Sequence, residues 1–388
     1  MRHTWRKPKP TAILILDAAG SDLIKGLCGN WPTQVLDRER LSIPILFSML
    51  IRGHKSMREY QNAYIRKTDP QIIITLIDND MYFLTIKNTF PSITTIAIQN
   101  GIRANYSPSA QHGFFTLLAK SDSPSCDYYC VFNDHVGTQL SRLVKTDPVT
   151  TGSIRNNEFR SKSTRNQSIS VAFVSQHPPR SIPNSSGGIY FDDTLVPDRK
   201  FYEADVLVAN YLARVCGQRG FEFTVCGKRD SNFSHEFELF SEAIGEYRWN
   251  YAPRTSETST YETLDDAKLI ITVDSTIGYE FLARGNRTAF FSVRGALISD
   301  FVGRRIEELD FGWPLKMEPR GSFWTDTPSD AEFDRILDYL TSVSNEEWTR
   351  EIDKYNKDVM VFDRGNTVLR ELIQRLGANL IDHGSSHA

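Results

Sequence analysis

At 388 residues the chain is too long for one ordinary core and suits two domains of about 150–200 residues each. A composition of 40% hydrophobic and 24% charged residues is that of a globular protein, and a net charge of −3 argues against bulk nucleic-acid binding. No run approaches the roughly 18–20 apolar residues of a membrane span, and the basic opening "MRHTWRKPKPTAILILD" lacks the small-residue cleavage site of a signal peptide.

In chain order, "TAILILD" (11–17) is a continuous apolar run, the pattern of a strand buried on both faces. "IPILFSML" (43–50) suits helix or strand. "QIIITLID" (71–78), "ITTIAIQ" (93–99) and "CDYYCVF" (126–132) are further buried strands, the last followed by a helix over 135–144. The five cysteines are scattered, so free thiols in a reducing compartment are expected and a zinc site is not. The segment 151–168, polar, basic and without periodicity, reads as an interdomain linker. Alternation then restarts: strand 169–175, a breaker loop 176–188, helix 202–216, strand 221–227, and helices 234–246 and 260–267. Next come the strand 268–273, a helix with Gly278 in its first turn, and the strand "RTAFFSV" (287–293). Helices near 329–343, 346–358 and 366–377 close the chain, and "HGSSHA" reads as a frayed tail. Two βα series of similar size imply an α/β protein of two doubly wound, Rossmann-type domains facing across a cleft. The divisions are 1–155, a linker 156–168, 169–360, and a terminal helix and tail 361–388.

Ligands of such sheets sit at the carboxyl ends of strands, so the loops after strands are the place to look for chemistry. "DSTIG" (274–278) offers a helix N-terminus, two hydroxyls on Ser275 and Thr276, and Gly278 for close backbone approach, which together suit a phosphate. The competing explanation is a plain helix cap by Asp274 or Ser275. After the strand ending at Gly227, which is expected to neighbour the strand before Asp274, a loop presents Lys228, Arg229, Asp230, Asn232 and His235. Cations beside carboxylate and amide groups there can pair a leaving phosphate with a nucleophile or base, although a solvated loop with a capping Asn232 or Ser234 explains them too. In the first half, Asp78 and Asn79 follow one buried strand, and Gln99, Asn100 and Arg103 follow the next. Amide, carboxylate and guanidinium groups on adjacent loops suit the hydrogen bonding of a hydroxylated or carboxylated sugar; a tight Asn100-Gly101 turn is the simpler account. His177, in "SQHPPR", stands equally well as a turn residue or a ligand contact.

Four stretches, "IAIQNGIR" (96–103), "GSIRNN" (152–157), "CGKRDSN" (226–232) and "LDDAKLIITVDSTIGYEFLARG" (264–285), resemble the GT-B-like transferases of bacterial surface polysaccharides. The chain is most similar to the retaining β-Kdo glycosyltransferases, glycosyltransferase family 99, over nearly its whole length. The resemblance implies transfer of Kdo, an acidic sugar, from CMP-β-Kdo to an O-antigen or capsule glycan with retention of configuration. It implies that the C-terminal domain holds CMP and the N-terminal domain the acceptor. Ser275-Thr276 is similar to the pair that grips CMP phosphate in bacterial sialyltransferases. A single donor phosphate can be neutralised by hydroxyls, a helix terminus and Lys228 or Arg229, so neither a metal nor another cofactor is expected. Retention by double displacement needs a carboxylate at the anomeric carbon. The resemblance puts an aspartate at position 232, where this chain has Asn232, so it reads as a disabled form with Asp230 as the substitute nucleophile. Glu158 is the candidate acid/base and His235 a weaker one. The implied setting is the cytoplasm at the inner face of the inner membrane, with further glycosyltransferase domains of a larger protein as partners and no nucleic acid. Two rivals remain: a UDP-sugar transferase or 2-epimerase, with Glu262 or Glu280 on the ribose, and an inactive glycan-binding module.

Overall fold

The computed structural model describes residues 2–53, 55–102, 114–161, 169–176, 187–191, 193–228 and 234–384. The strands, in chain order, begin with β1 (Arg2–Thr4), β2 (Ile13–Leu16), β3 (Thr33–Leu36), β4 (Arg40–Ser42), β5 (Ile72–Thr75), β6 (Thr94–Ile98), β7 (Ser125–Val131) and β8 (Lys145–Thr150). They continue with β9 (Ile169–Val174), β10 (Gly188–Phe191), β11 (Thr194–Pro197), β12 (Phe223–Cys226), β13 (Asn250–Ala252), β14 (Ala267–Thr272), β15 (Thr288–Phe291) and β16 (Trp324–Thr325). Chain contacts separate two units: Met1–Asn100 with Leu118–Glu158 and Asp363–Ala388, and Gly101–Leu117 with Phe159–Phe362.

The first unit is built on a six-stranded parallel sheet in the order β3-β2-β5-β6-β7-β8. Its central strands "ILIL" and "IIIT" are buried at every position, which is why they read as unbroken apolar runs. Ile13, Ile15, Ile72, Ile74 and Ile96 share one core with Ile24 and Leu27 of the helix Ser21–Cys28. That core also takes Leu369, Leu372 and Ile373 from the helix Thr367–Gly384. Residues 363–384 therefore belong to the first unit rather than standing as a separate terminal piece. Nor is 156–158 linker: Ile154–Glu158 is helical, and Ser153, Asn156 and Asn157 are buried. Asn157 Nδ2 donates to Thr151 O (2.8 Å) and to Asn366 Oδ1 (3.0 Å), while its Oδ1 accepts from Asp363 N (3.0 Å). Asn366 Nδ2 in turn donates to Ile154 O (3.0 Å). Polarity here marks a satisfied buried network, not exposure. A small lobe of β1 paired with β4 leads into the helix Ile43–Ile51, which settles the ambiguous "IPILFSML" as helix, with a proline in its first turn.

The second unit has a parallel sheet in the order β13-β12-β9-β14-β15-β16 and an unexpected antiparallel hairpin β10–β11 that starts at the last residue of the expected breaker loop. Counted along the chain, the sheet order is 3-2-1-4-5-6, with its switch point between β9 and β14. β9 thus lies between β12 and β14, which are not the direct neighbours the sequence suggested. The strand Ala267–Thr272 begins one residue earlier than expected, and the helix expected over 346–358 breaks into Asn345–Ile352 and Asn356–Val359. Ser344 and Glu347 close a reciprocal capping box on the first of these.

All five cysteines are free and buried. Burial pushes the Cys28 thiol up to about 11, and those of Cys126, Cys216 and Cys226 up to about 12, so they are inert thiols. No helix among the described residues is long and apolar enough to cross a membrane.

Candidate functional site

In the second unit, the carboxyl ends of β12, β9 and β14 emerge side by side at the switch point. At a strand spacing of about 4.8 Å, the loops after β12 and β14 leave the sheet about 10 Å apart. The loop after β14 is Val273-Asp274-Ser275, and the helix Thr276–Ala283 follows with Ser275 as its N-cap. The simple capping account does not hold. Ser275 makes no side-chain cap bond, and its N–H instead donates to Thr272 Oγ1 (3.0 Å). Among the described residues the Ser275 hydroxyl has no partner. Thr276 Oγ1 accepts the Ile102 N–H (3.0 Å), leaving its own proton to donate.

Asp274 is not a cap either. It belongs to a buried ionic cluster centred on Arg294, the first residue of the helix Arg294–Val302 after β15. Arg294 Nε donates to Asp274 Oδ2 (2.7 Å), Nη2 to Asp205 Oδ2 (2.8 Å) and Nη1 to Phe201 O (2.5 Å). Its guanidinium also lies over the Phe201 ring, 4.4 Å from the centroid. Asp205 Oδ1 accepts the Gln176 N–H (3.1 Å) from the loop after β9. One arginine therefore ties together the loops after three strands. Burial alone would lower the pKa of Arg294, but Asp274 and Asp205 hold it above its ordinary range, so the guanidinium stays charged. Burial pushes the Asp205 carboxyl upward and Arg294 opposes it.

A second buried carboxylate organises the loop after β12. Glu236 is 1% exposed; its Oε1 accepts from Ser175 Oγ (2.5 Å) and Lys228 N (3.0 Å), and its Oε2 from Tyr251 OH (2.9 Å). Both edges of the loop 228–236 are thereby fixed to β9 and β13. Lys228 Nζ reaches Gln176 O at 3.4 Å. His235 is exposed and sits 3.4 Å from Glu238, away from the buried carboxylate network. Arg229, Asp230 and Asn232 lie outside the described residues, as do Arg103 and His177.

Gly278 also has a packing role. A Cβ there would lie 2.5 Å from Thr272 Cγ2 and 3.3 Å from a Phe290 ring carbon, so the glycine lets the helix pack onto β14 and β15. Gly278→Ala is expected to cost about 1–3 kcal/mol through overpacking, read as a lowered urea midpoint with unchanged slope. Glu280, two residues on, is buried and accepts from Tyr261 OH (2.5 Å), while Glu262 is exposed and bonded to Thr258.

In the first unit the expected sugar-binding groups divide. Asp78 is buried, accepting from Asn100 N (3.3 Å) and Tyr129 OH (3.1 Å). Gln99 is buried as well, its Oε1 accepting from Phe132 N (2.9 Å). These two side chains latch the ends of β5, β6 and β7 to one another, a structural use that the strand-end rule cannot distinguish from binding. Asn79 and Asn100 are exposed. Glu158, the expected acid/base, ends its short helix 3.3 Å from Arg370 and 3.4 Å from Asn366 Nδ2, so it is ion-paired within the first unit.

Sequence reasoning passed over Asp205, Arg294, Glu236 and Tyr251. Arg294 stands just past the apolar strand "TAFF", the same strand-end position that singled out Ser275. Asp205 breaks the apolar face of the helix Glu203–Arg219, a signal for a buried partner.

The fold has solved counterparts. A variant of the wall teichoic acid polymerase TagF with CDPG aligns with a TM-score of 0.55 at 13% identity, over 98% of this chain and 91% of that one. MnaA of S. aureus with UDP aligns with 0.55 at 10% identity, over 98% and 97%. A UDP-GlcNAc 2-epimerase from Methanocaldococcus jannaschii with UDP-GlcNAc and UDP gives 0.51 at 10% identity, over 94% and 99%. At such identities the likeness is one of fold, and it is GT-B-like. No curated protein matches the sequence. The profile of a family described as "putative O-antigen biosynthesis protein" matches residues 96–377, all of the second parallel sheet and the β6–β8 side of the first, and the chain belongs to that family.

Proposed function

We propose that the protein is a glycosyltransferase that moves an acidic sugar, Kdo, from CMP-β-Kdo onto an O-antigen or capsule glycan with retention of configuration. The observation that carries the reading is the switch-point edge of the second sheet. There the Ser275 hydroxyl, with no partner among the described residues, stands at an uncapped helix N-terminus next to the Thr276 hydroxyl, in a loop anchored by Arg294. Donor protons and a helix terminus suit one nucleotide phosphate without a metal, with Lys228 and Arg229 as nearby cations. Membership of an O-antigen family and a GT-B-like fold support sugar transfer as the chemistry. In this reading position 232 meets the anomeric carbon, with Asp230, Glu158 and His235 as further acid, base or nucleophile candidates. Asn79, Asn100 and Arg103 contact the acceptor. The reaction is cytoplasmic, at the inner face of the inner membrane, alongside other glycosyltransferase domains.

Titration calorimetry tests the nucleotide site. CMP should bind, and Ser275→Ala should weaken it about tenfold, or about 1.4 kcal/mol, with thermal stability unchanged, since that hydroxyl serves no bond within the described fold. A folded sample with no CMP affinity sinks the reading.

A second reading, a UDP-sugar enzyme, is favoured by Glu280. This carboxylate lies one helical turn beyond Thr276, where a ribose diol bound to the same helix would need an acceptor. UDP displacing CMP in the same titration would select it.

A further inference from the structure

The lobe made by β1, β4 and the helix Ile43–Ile51 carries a surface that sugar transfer does not use. The helix has no charged residue and is apolar on all sides. Ile45 and Met49 turn inward onto Leu41 and Tyr60. Phe47, Leu50 and Ile51, at i, i+3 and i+4, form an outer face that is 65–72% exposed. A helix apolar all round belongs in a core or against an apolar phase, yet only half of this one is covered. Trp5, 80% exposed, extends the face: Thr4 pairs with Ser42 just before the helix, and Ser42 Oγ donates to Arg6 O (3.0 Å).

The charge around this face is predominantly cationic, with Asp37, Glu39 and Glu59 at its margins. Residues 1–16 and 40–58 hold eight lysines and arginines and no carboxylate, in a chain whose net charge is −3. Arg6, Lys7, Lys9, Lys25 and Arg40 line a cavity of 950 Å³ beside the lobe with one carboxylate, Asp37, and Arg6, Lys7, Lys9 and Arg40 have no ion-pair partner among the described residues.

We propose that this lobe is a docking surface for an anionic lipid bilayer. Trp5, Phe47, Leu50 and Ile51 enter the boundary between headgroups and acyl chains, while the surrounding cations meet lipid phosphates. The charge pattern selects a bilayer over a protein. A second copy would bring its own eight cations against these, and protein interfaces are depleted in lysine. The proposal is independent of the nucleotide reading.

Co-sedimentation of the full chain with vesicles tests it, at about 0.1 M salt where surface charge is still felt. Vesicles of equal phosphatidylglycerol and phosphatidylethanolamine should pellet the protein at least about tenfold better than phosphatidylcholine alone. The triple variants Phe47→Ser/Leu50→Ser/Ile51→Ser and Arg6→Glu/Lys7→Glu/Lys9→Glu should each weaken partition about tenfold, with unchanged circular dichroism and unchanged CMP binding. Inorganic phosphate at the same phosphate concentration should not compete. Equal partition to both vesicle types, or competition by free phosphate, overturns the proposal. So does a dimer in sedimentation velocity that the serine variant abolishes.

Discussion

Asn232→Asp is expected to raise transfer from CMP-Kdo by about a thousandfold or more, the effect of putting a carboxylate where double displacement needs its nucleophile. An amide nitrogen is delocalised into its carbonyl and attacks carbon poorly; a carboxylate carries a full charge and leaves readily in the second displacement. The flanks of this loop are already held, since Glu236 binds Lys228 N on one side and is fixed by Ser175 and Tyr251 on the other. A change confined to one side-chain atom need not therefore be absorbed by rearrangement of the frame. Released CMP gives the rate, and intact mass should show a sugar adduct on the aspartate form. A silent Asn232→Asp with activity lost in Asp230→Ala would shift the nucleophile to position 230.

The second large effect concerns Arg294. Arg294→Met should destabilise the second unit by about 3–5 kcal/mol, because Asp205 is then a fully buried carboxylate without its counter-charge. Arg294→Lys should recover only part of this: an ammonium cannot span Asp205, Asp274 and the Phe201 carbonyl with one rigid fork. Loss should fall on CMP affinity as well, since Asp274 sets the residue before Ser275. Urea unfolding of the variants measures the first effect and calorimetry the second. An Arg294→Met protein unfolding within about 0.5 kcal/mol of the parent would mean the cluster is solvated rather than sealed.

What the sequence revealed followed from pattern length. Parallel strands buried on both faces leave unbroken runs such as "ILIL", "IIIT" and the "LIIT" of β14, and those placed both sheets and the strand-end loops. Short or edge elements left no such trace: β16 has two residues, and β10 and β11 sit in a stretch full of turn formers. Strand order was also hidden, because nothing local says that β9 inserts between β12 and β14. At the candidate site, residue type and strand-end position found Ser275, Thr276 and Lys228. The same rule brought in Asp78 and Gln99, buried side chains that accept from Tyr129 OH, Asn100 N and Phe132 N. Polarity misled most at Asn157 and Asn366, amides buried against each other more than two hundred positions apart.

That distant pairing makes the first unit discontinuous in sequence: one wall of its core comes from the stretch carrying Asn366, Leu369 and Ile373, more than three hundred positions from the Ile24 and Leu27 it covers. Its contacts are thus more non-local than those within the uninterrupted run Phe159–Phe362, a topology that slows folding through the cost of closing long loops.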